Sequence, residues 1–440
     1  MEDYMIFAHA HVGIYIPTIF RGRISYPTSI TTWLTCLIAG EWWNGSVVAI
    51  DNQGFLNGLG PTLADAFTIN GKPGHLYPCK DTYKLKVKPG KTYLLRIINA
   101  ALNHQLFFKI AGHNFTVVAV DSSYTEPYLT DVIVSGPGQT VDVLLVANQP
   151  PKSYYMAVNA YNSATVPFLN TTATAIIEYK DSTSSVPEMP ALPPFNDTPT
   201  AFTFYSNLTS PPSMVTDLPL QVDLQMFITI GMGVSPCALP GNATCQGPNG
   251  LRLSANMNGK SFELPTNMSI LQASFTGATG VYTEDFPSQP PVTFDYTNST
   301  KRLNQTQFVF TQKSTSVKKI PFNSSVEIVL QNTAIIGEES HPMHLHGYDF
   351  YVMAMGFGNY NASVDTKKFN YFNPQKRNTV AVPRGGWAVI RFRADNPGTW
   401  IIHCHLETHL SWGLATVLIV DEGPTSFYKL PRPPSDYPKC

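Results

Sequence analysis

The sequence is poor in charge. Asp, Glu, Lys and Arg make up 13% of its 440 residues, about half the usual quarter. Formal net charge is −1 and no block of Lys or Arg occurs. The sequence-independent attraction that holds proteins on nucleic acid is therefore missing, which excludes a nucleic-acid binder. No apolar run approaches the ~20 residues of a membrane-spanning helix, so no membrane partner is expected. The N-terminus, Met1-Glu2-Asp3, is acidic where a signal peptide is basic, so no export signal is read in the chain. None of the six cysteines forms a Cys-x-x-Cys pair, which removes the usual structural zinc site.

Turn-forming residues take the place of charge: 36 Pro and 30 Gly punctuate short alternating runs such as Tyr83, Leu85 and Val87 before Pro89-Gly90. This pattern predicts an all-β protein, with a length suited to about three domains of roughly 150 residues. The Ser/Pro-rich stretch DSTSSVPEMPALPPFN, residues 181–196, reads as an extended linker. A second boundary is expected near Gly40, just before Glu41-Trp42-Trp43-Asn44, leaving 1–40 as a piece too small to fold alone. Eleven Asn-x-Ser/Thr sequons, at Asn44, Asn114, Asn170, Asn196, Asn207, Asn242, Asn267, Asn298, Asn304, Asn323 and Asn361, exceed chance and point to a secreted glycoprotein. Cys237 and Cys245, eight residues apart in a Pro/Gly/Asn-rich loop, suit a local disulfide of an oxidising compartment. Cys36, Cys79 and Cys440 have no obvious partner.

The chain repeats itself. Residues 111–120, AGHNFTVVAV, match 346–355, HGYDFYVMAM, and 147–159, ANQPPKSYYMAVN, match 394–405, ADNPGTWIIHCH. The two long segments are therefore expected to be copies of one β-domain. Leu106, Lys109 and Ala111 stand where the other copy has His341, His344 and His346, and Ala157-Val158-Asn159 where it has His403-Cys404-His405. The frame persists without these side chains, so something other than the fold requires them.

Eight of the eleven histidines fall into three groups: His9 and His11; His341, His344 and His346; His403, His405 and His409. His75, His104 and His113 are scattered, and are expected to be ordinary surface or hydrogen-bonded side chains. A metal site explains the clustered eight better than a coincidence of buried imidazoles. Side chains alternate faces along a strand, so His403 and His405 project together while Cys404 points the opposite way. The same parity pairs His344 with His346 and His9 with His11, and sets His341 on the other face. One site is then expected from Cys404, His341 and His409, and another from the paired histidines. One thiolate with two imidazoles is the blue-copper electron-transfer pattern. Leu414, five residues past His409, falls at the axial place, and lacking a donor atom it should raise the copper potential. The all-imidazole site suits copper that handles dioxygen, and the Cys404 backbone joins the two.

The segments HPMHLHG, NPGTWIIHCHLETHLSWGL, GEWWN and the closing LPRPPSDYPKC closely resemble the multicopper oxidases, and among them the plant laccases, over about residues 41–440. The resemblance implies tandem cupredoxin-like Greek-key β-sandwich domains. Residues 1–40 would be the remnant of a first, 41–180 a second without copper ligands, 181–196 the linker, and 197–440 a third that carries them. It implies copper, four ions in an intact member and fewer here, with one-electron oxidation of phenols such as lignin precursors coupled to reduction of dioxygen to water. Carried over residue by residue, it makes His341, Cys404 and His409 the type 1 copper ligands, with Leu414 axial and His409 the point where the phenol's electron enters. His11, His346 and His403 would hold one type 3 copper, His9 and His405 the other, and His344 the type 2 copper.

Members of the family carry a further His-x-His pair upstream of the one matched by His9 and His11, and this chain begins after it. The resemblance therefore implies a product truncated at its N-terminus or an incomplete gene model, without signal peptide or the partners of Cys79 and Cys440. Six of the eight cluster histidines would remain, and dioxygen reduction would be impaired. The expected setting is the apoplast, and the expected form a monomer whose partners are phenolic small molecules and dioxygen. The rival reading is a non-catalytic copper-binding cupredoxin glycoprotein. A relative that oxidises Fe²⁺ would need acidic residues beside the type 1 site, and spacing locates none.

Overall fold

The computed structural model describes residues 34–164, 167–182, 186–237, 244–298, 309–434 and 436. Strands dominate and fall into four sheets, two in each half of the chain. In the first half a six-stranded sheet runs, in spatial order, Ala66–Ile69, Leu34–Trp42, Thr92–Ala100, Thr140–Val146, Phe115–Val120, Ser123–Thr130. It faces a five-stranded sheet of Lys84–Val87, Thr172–Tyr179, Ser153–Tyr161, Gln105–Ile110 and Ile133–Ser135 across one apolar core. In the second half an eight-stranded sheet centres on Leu224–Ser235, Ser325–Asn332, Gly386–Arg393 and Phe350–Phe357. Its partner orders Val317–Ile320, Ala415–Val420, Gly398–Cys404, His341–Leu345 and Thr379–Val382. Apolar side chains from the inner faces fill the space between sheets, which is how a β-sandwich buries its alternating pattern. The architecture is the all-β, tandem cupredoxin-like one expected.

The internal repeat is visible strand by strand. Leu34–Trp42 runs parallel to Thr92–Ala100, as Leu224–Ser235 runs parallel to Ser325–Asn332. A β-bulge interrupts Phe115–Val120 between Val117 and Ala119, and another interrupts Phe350–Phe357 between Val352 and Ala354, at the aligned positions. Each half also buries one cross-strand ion pair at the equivalent strand pair, with polarity reversed. Arg96 opposes Asp142 and binds it through two nitrogens at 2.8 and 2.7 Å, and Glu327 opposes Arg391, with Nε–Oε2 2.7 Å.

The boundary read at Gly40 falls inside Leu34–Trp42. Residues 34–40 pair one by one with Leu94–Ala100, so that strand is part of the first described sandwich. Segment 186–196 lies against the Ser153–Tyr161 strand, where Tyr155 N–H donates to Glu188 O (2.9 Å) and Asn162 N–H to Phe195 O (2.8 Å). Cys237 and Cys245 are joined by a disulfide of S–S 2.06 Å. Cys36, half-buried, and Cys79, exposed, are bonded to no other cysteine among the described residues. His9, His11 and Cys440 lie outside the described residues. Among the described residues no helix is long and apolar enough to cross a membrane.

Candidate metal centre

Two adjacent antiparallel strands carry His341, His344, His403 and Cys404, and His346 and His405 directly follow them. His341–Leu345 pairs with Gly398–Cys404 so that Met343 opposes Cys404 and His344 opposes His403. In the first half the same register sets Phe108 opposite Val158 and Lys109 opposite Ala157, so the two halves differ here in side chains and not in backbone.

After Cys404 the chain leaves the sheet and makes a short helical turn, Glu407–Ser411, that brings His409 back. The turn is closed by Leu414 N–H to His409 O at 2.9 Å, and Cys404 N–H then donates to Leu414 O at 3.0 Å. Cys404 Sγ consequently lies 3.5 Å from His409 Nδ1 and 3.7 Å from His341 Nδ1. The three ligand atoms are mutually within 4.8 Å and all three residues are buried. Met343, Ile402 and Leu414 close the surroundings in apolar side chains, each no more than 1% exposed. One sulfur and two imidazole nitrogens in a dry, closed pocket fit a trigonal copper site.

Electrostatics divide the two imidazoles. Burial, aided by the neighbouring His409 charge, pushes His341 down to about 3. Burial also pulls on His409, but hydrogen bonding to Cys404 and Glu339 outweighs it and raises this imidazole to about 10. Glu339 Oε2 lies 3.3 Å from His409 Nε2, so the carboxylate holds the outer nitrogen while Nδ1 faces the sulfur. Glu339 was not legible from spacing. It lies two residues before His341, and only the return of the 407–411 turn brings it to His409.

On the opposite side of the same strand His403 and His405 meet His344 and His346. Ring centroids are 5.3 Å apart for His403–His405 and His346–His403, 4.8 Å for His344–His346 and 5.4 Å for His344–His405. His346 Nε2 and His403 Nε2 approach to 3.2 Å. His403 Nδ1 donates to Cys404 O (2.8 Å), and His344 Nδ1 to Asn378 O (3.0 Å). Burial first, then the neighbouring imidazoles, holds His344 and His403 well below the ordinary histidine range. Neutral rings with Nδ1–H engaged present Nε2 as the donor, the form a metal ligand needs. The donor chemistry therefore fits copper on this side as well.

The scattered histidines stand apart from both groups. His113 is buried and bonded to Ala111 O and Tyr179 Oη, His104 pairs with the buried Glu41, and His75 bonds Thr174 while stacking on Tyr155.

Family models described as "Multicopper oxidase" match residues 34–182 and 285–424. Laccase-7 of Arabidopsis thaliana is 51% identical over 450 residues, covering 98% of this chain and 78% of that protein. Laccase-14 of Oryza sativa subsp. japonica is 47% identical over 452 residues, covering 98% and 77%. Among solved structures, the laccase from Botrytis aclada superposes with a TM-score of 0.61 at 23% identity, over 88% of this chain and 64% of that one. Fet3p, a multicopper oxidase that functions in iron import, gives 0.62 at 21%, over 90% and 67%. These two share the fold. With close relatives over nearly its whole length and family matches on both halves, the chain belongs to the multicopper oxidases, as a laccase-type member.

Proposed function

We propose that the chain oxidises phenols one electron at a time at the edge of His409 and delivers the electrons to dioxygen at the imidazole group behind Cys404. Copper at both places supplies the one-electron redox chemistry. His341, Cys404 and His409 would hold the first ion, with the apolar Leu414 beside them offering it no further donor. His344, His346, His403 and His405 would hold the others. Four phenols each give up one electron and one proton, and one dioxygen takes four of each to become two waters. Glu339 fixes His409 so that one imidazole links the carboxylate to the sulfur. From Cys404 the path continues through its own backbone to the two flanking imidazoles.

What carries the reading is the two-sidedness of one strand end: the Cys404 sulfur sits with His341 and His409, while its sequence neighbours sit with His344 and His346. An extracellular, apoplastic setting is part of the proposal. It is supported by the Cys237–Cys245 disulfide and by the nine described sequon asparagines, of which all but Asn298 are exposed. The test is copper content together with oxygen uptake in the presence of a phenol. Several coppers per chain, a blue colour and uptake that scales with phenol are expected. One copper and a blue colour without uptake would instead make the chain a copper-binding glycoprotein.

A further inference from the structure

The half without clustered histidines presses a small polar patch against the half that has them. Asp121 follows the Phe115–Val120 strand at φ +49, a conformation that Asp tolerates, and its side chain reaches across the interface. Its Oδ2 accepts the N–H groups of Asn378 and Thr379, each at 3.3 Å. Gln139 reaches the same place from the 136–139 turn. Its Nε2 donates to Thr379 O at 3.1 Å, and its Oε1 accepts Gly136 N–H at 2.7 Å, so both ends of this amide are tied. Two side chains thus hold three backbone atoms of Asn378–Thr379.

The other face of that dipeptide meets His344. Nδ1 lies 3.0 Å from Asn378 O and 2.9 Å from Thr379 Oγ1. Thr379 spends its hydroxyl proton on Asn378 Oδ1 at 3.0 Å, which leaves its oxygen as an acceptor. Both partners therefore want a proton on His344 Nδ1, and that fixes the tautomer with Nε2 as the open donor. Two more contacts make the patch specific. Arg377, 1% exposed, sets its charge against Asp121 and donates through Nη2 to Tyr205 O at 3.3 Å. Gly138, at φ +76, lies so close to His405 that a Cβ there would come within 2.3 Å of Nε2.

We propose that Asp121 and Gln139 are positioning residues for His344: by clamping Asn378–Thr379 across the interface they lock the imidazole as the Nδ1–H tautomer in one orientation. The consequence for metal binding rests on the reading of His344 as a copper ligand, whereas the tautomer does not. Partners of a ligating histidine's second nitrogen typically affect metal affinity by about 10–100-fold.

The test uses the full chain, copper-free and labelled with ¹⁵N-histidine, with His344 assigned by its disappearance in His344→Asn. Wild type is expected to show His344 as one neutral Nδ1–H tautomer. Asp121→Ala is expected to give a mixture with the Nε2–H form, and Asp121→Asn, which keeps an acceptor oxygen for the two amides, to hold the wild-type signature. That rescue separates positioning from lost packing. Gln139→Ala should shift the signal in the same direction by less, and it carries the test should Asp121→Ala not fold. An unchanged His344 in a folded Asp121→Ala or Gln139→Ala protein overturns the proposal.

Titration with Cu²⁺ alone then separates the two readings. A copper that weakens about tenfold or more in Asp121→Ala, with the blue absorption of the Cys404 site intact, supports both. A tautomer shift accompanied by identical copper binding in wild type and His344→Asn upholds the positioning role and removes the ligand role.

Discussion

Asn103 and Thr408 are joined twice across the interface between the two halves. Asn103 Oδ1 accepts the Thr408 backbone N–H at 3.0 Å and the Thr408 hydroxyl at 2.8 Å. Asn103 is itself anchored, because its N–H and that of Leu102 donate to the buried Glu41 carboxylate at 3.2 Å, which also binds His104. Thr408 directly precedes His409, so this chain of bonds holds the turn that returns His409 to the sulfur. Asn103→Ala strips two part-buried donors of their acceptor, a loss of about 1–3 kcal/mol. Urea unfolding should show that destabilisation, and the blue absorption should shift or broaden as the turn loosens. An unaltered spectrum with unaltered stability would contradict it.

Cys404→Ser keeps the shape of the pocket and removes the sulfur. The blue absorption should vanish and phenol-dependent oxygen uptake should stop, while paramagnetic resonance still detects copper on the imidazole side. On the proposed reading those ions are held by side chains on the other face of the strand and do not need the thiolate. Loss of all copper in a folded Cys404→Ser protein would mean that the two sides are not separate sites.

Strand parity made the two faces of the 403–405 segment legible, since only alternation is needed to split Cys404 from its neighbours. The repeat was legible for a similar reason: the bulges after Val117 and Val352 and the ladder registers are backbone features that keep the small and apolar residues of both copies in step. Glu339, Asn103, Asp121 and Gln139 were not legible. Each acts through a contact made by folding one half onto the other, or by the turn that closes the site, and no local spacing encodes such a meeting. The boundary expected near Gly40, just before Glu41-Trp42-Trp43-Asn44, falls inside a strand, because residues 34–40 pair with Leu94–Ala100, a meeting more than fifty residues apart that no local spacing encodes.

Gly347 closes the HPMHLHG segment at φ +75, where an added Cβ would come within 2.4 Å of the Trp400 ring. The indole cannot retreat freely, because its Nε1 is bonded to Asn396 O at 2.9 Å. Gly347→Ala combines roughly 1–2 kcal/mol of backbone strain with displacement of Trp400. His346 is the adjacent residue, so thermal unfolding and copper content should fall together. Cys404 and His341 lie farther along the same two strands, four residues past Trp400 and six before Gly347, so the blue colour should be affected less than the copper on the imidazole side.

Asp285 gives a pH dependence away from the metal centre. Hydrogen bonds from Thr283 and then Ser316, with Lys260 behind them, outweigh burial and push its carboxyl down to about 2 from an ordinary 3.8. A depressed folded value stabilises the protein above the unfolded value and is lost as pH falls from about 4 towards 2. The carboxylate is 57% exposed, so the contribution is screened to under about 1 kcal/mol. Wild type should exceed Asp285→Asn in unfolding free energy by that amount at pH 7, and the difference should close below pH 3. A difference that persists to pH 2 would place the effect in packing.

On the proposed reading Leu414 takes the axial place of the Cys404 site. It is fully buried, its N–H is tied to His409 O and its carbonyl to Cys404 N–H, so its backbone belongs to the same turn that sets the sulfur. A leucine offers no lone pair, which favours the reduced ion and raises the potential. Leu414→Met exchanges a branched side chain for an unbranched one of similar volume, at a packing cost below about 1.5 kcal/mol, and supplies a thioether sulfur. The potential should fall, the blue colour should persist with an altered spectrum, and oxidation should slow most for the phenols that are hardest to oxidise. Redox titration of the two proteins decides it: an equal potential would mean that residue 414 does not reach the metal, and the axial role would then belong to another side chain or to none.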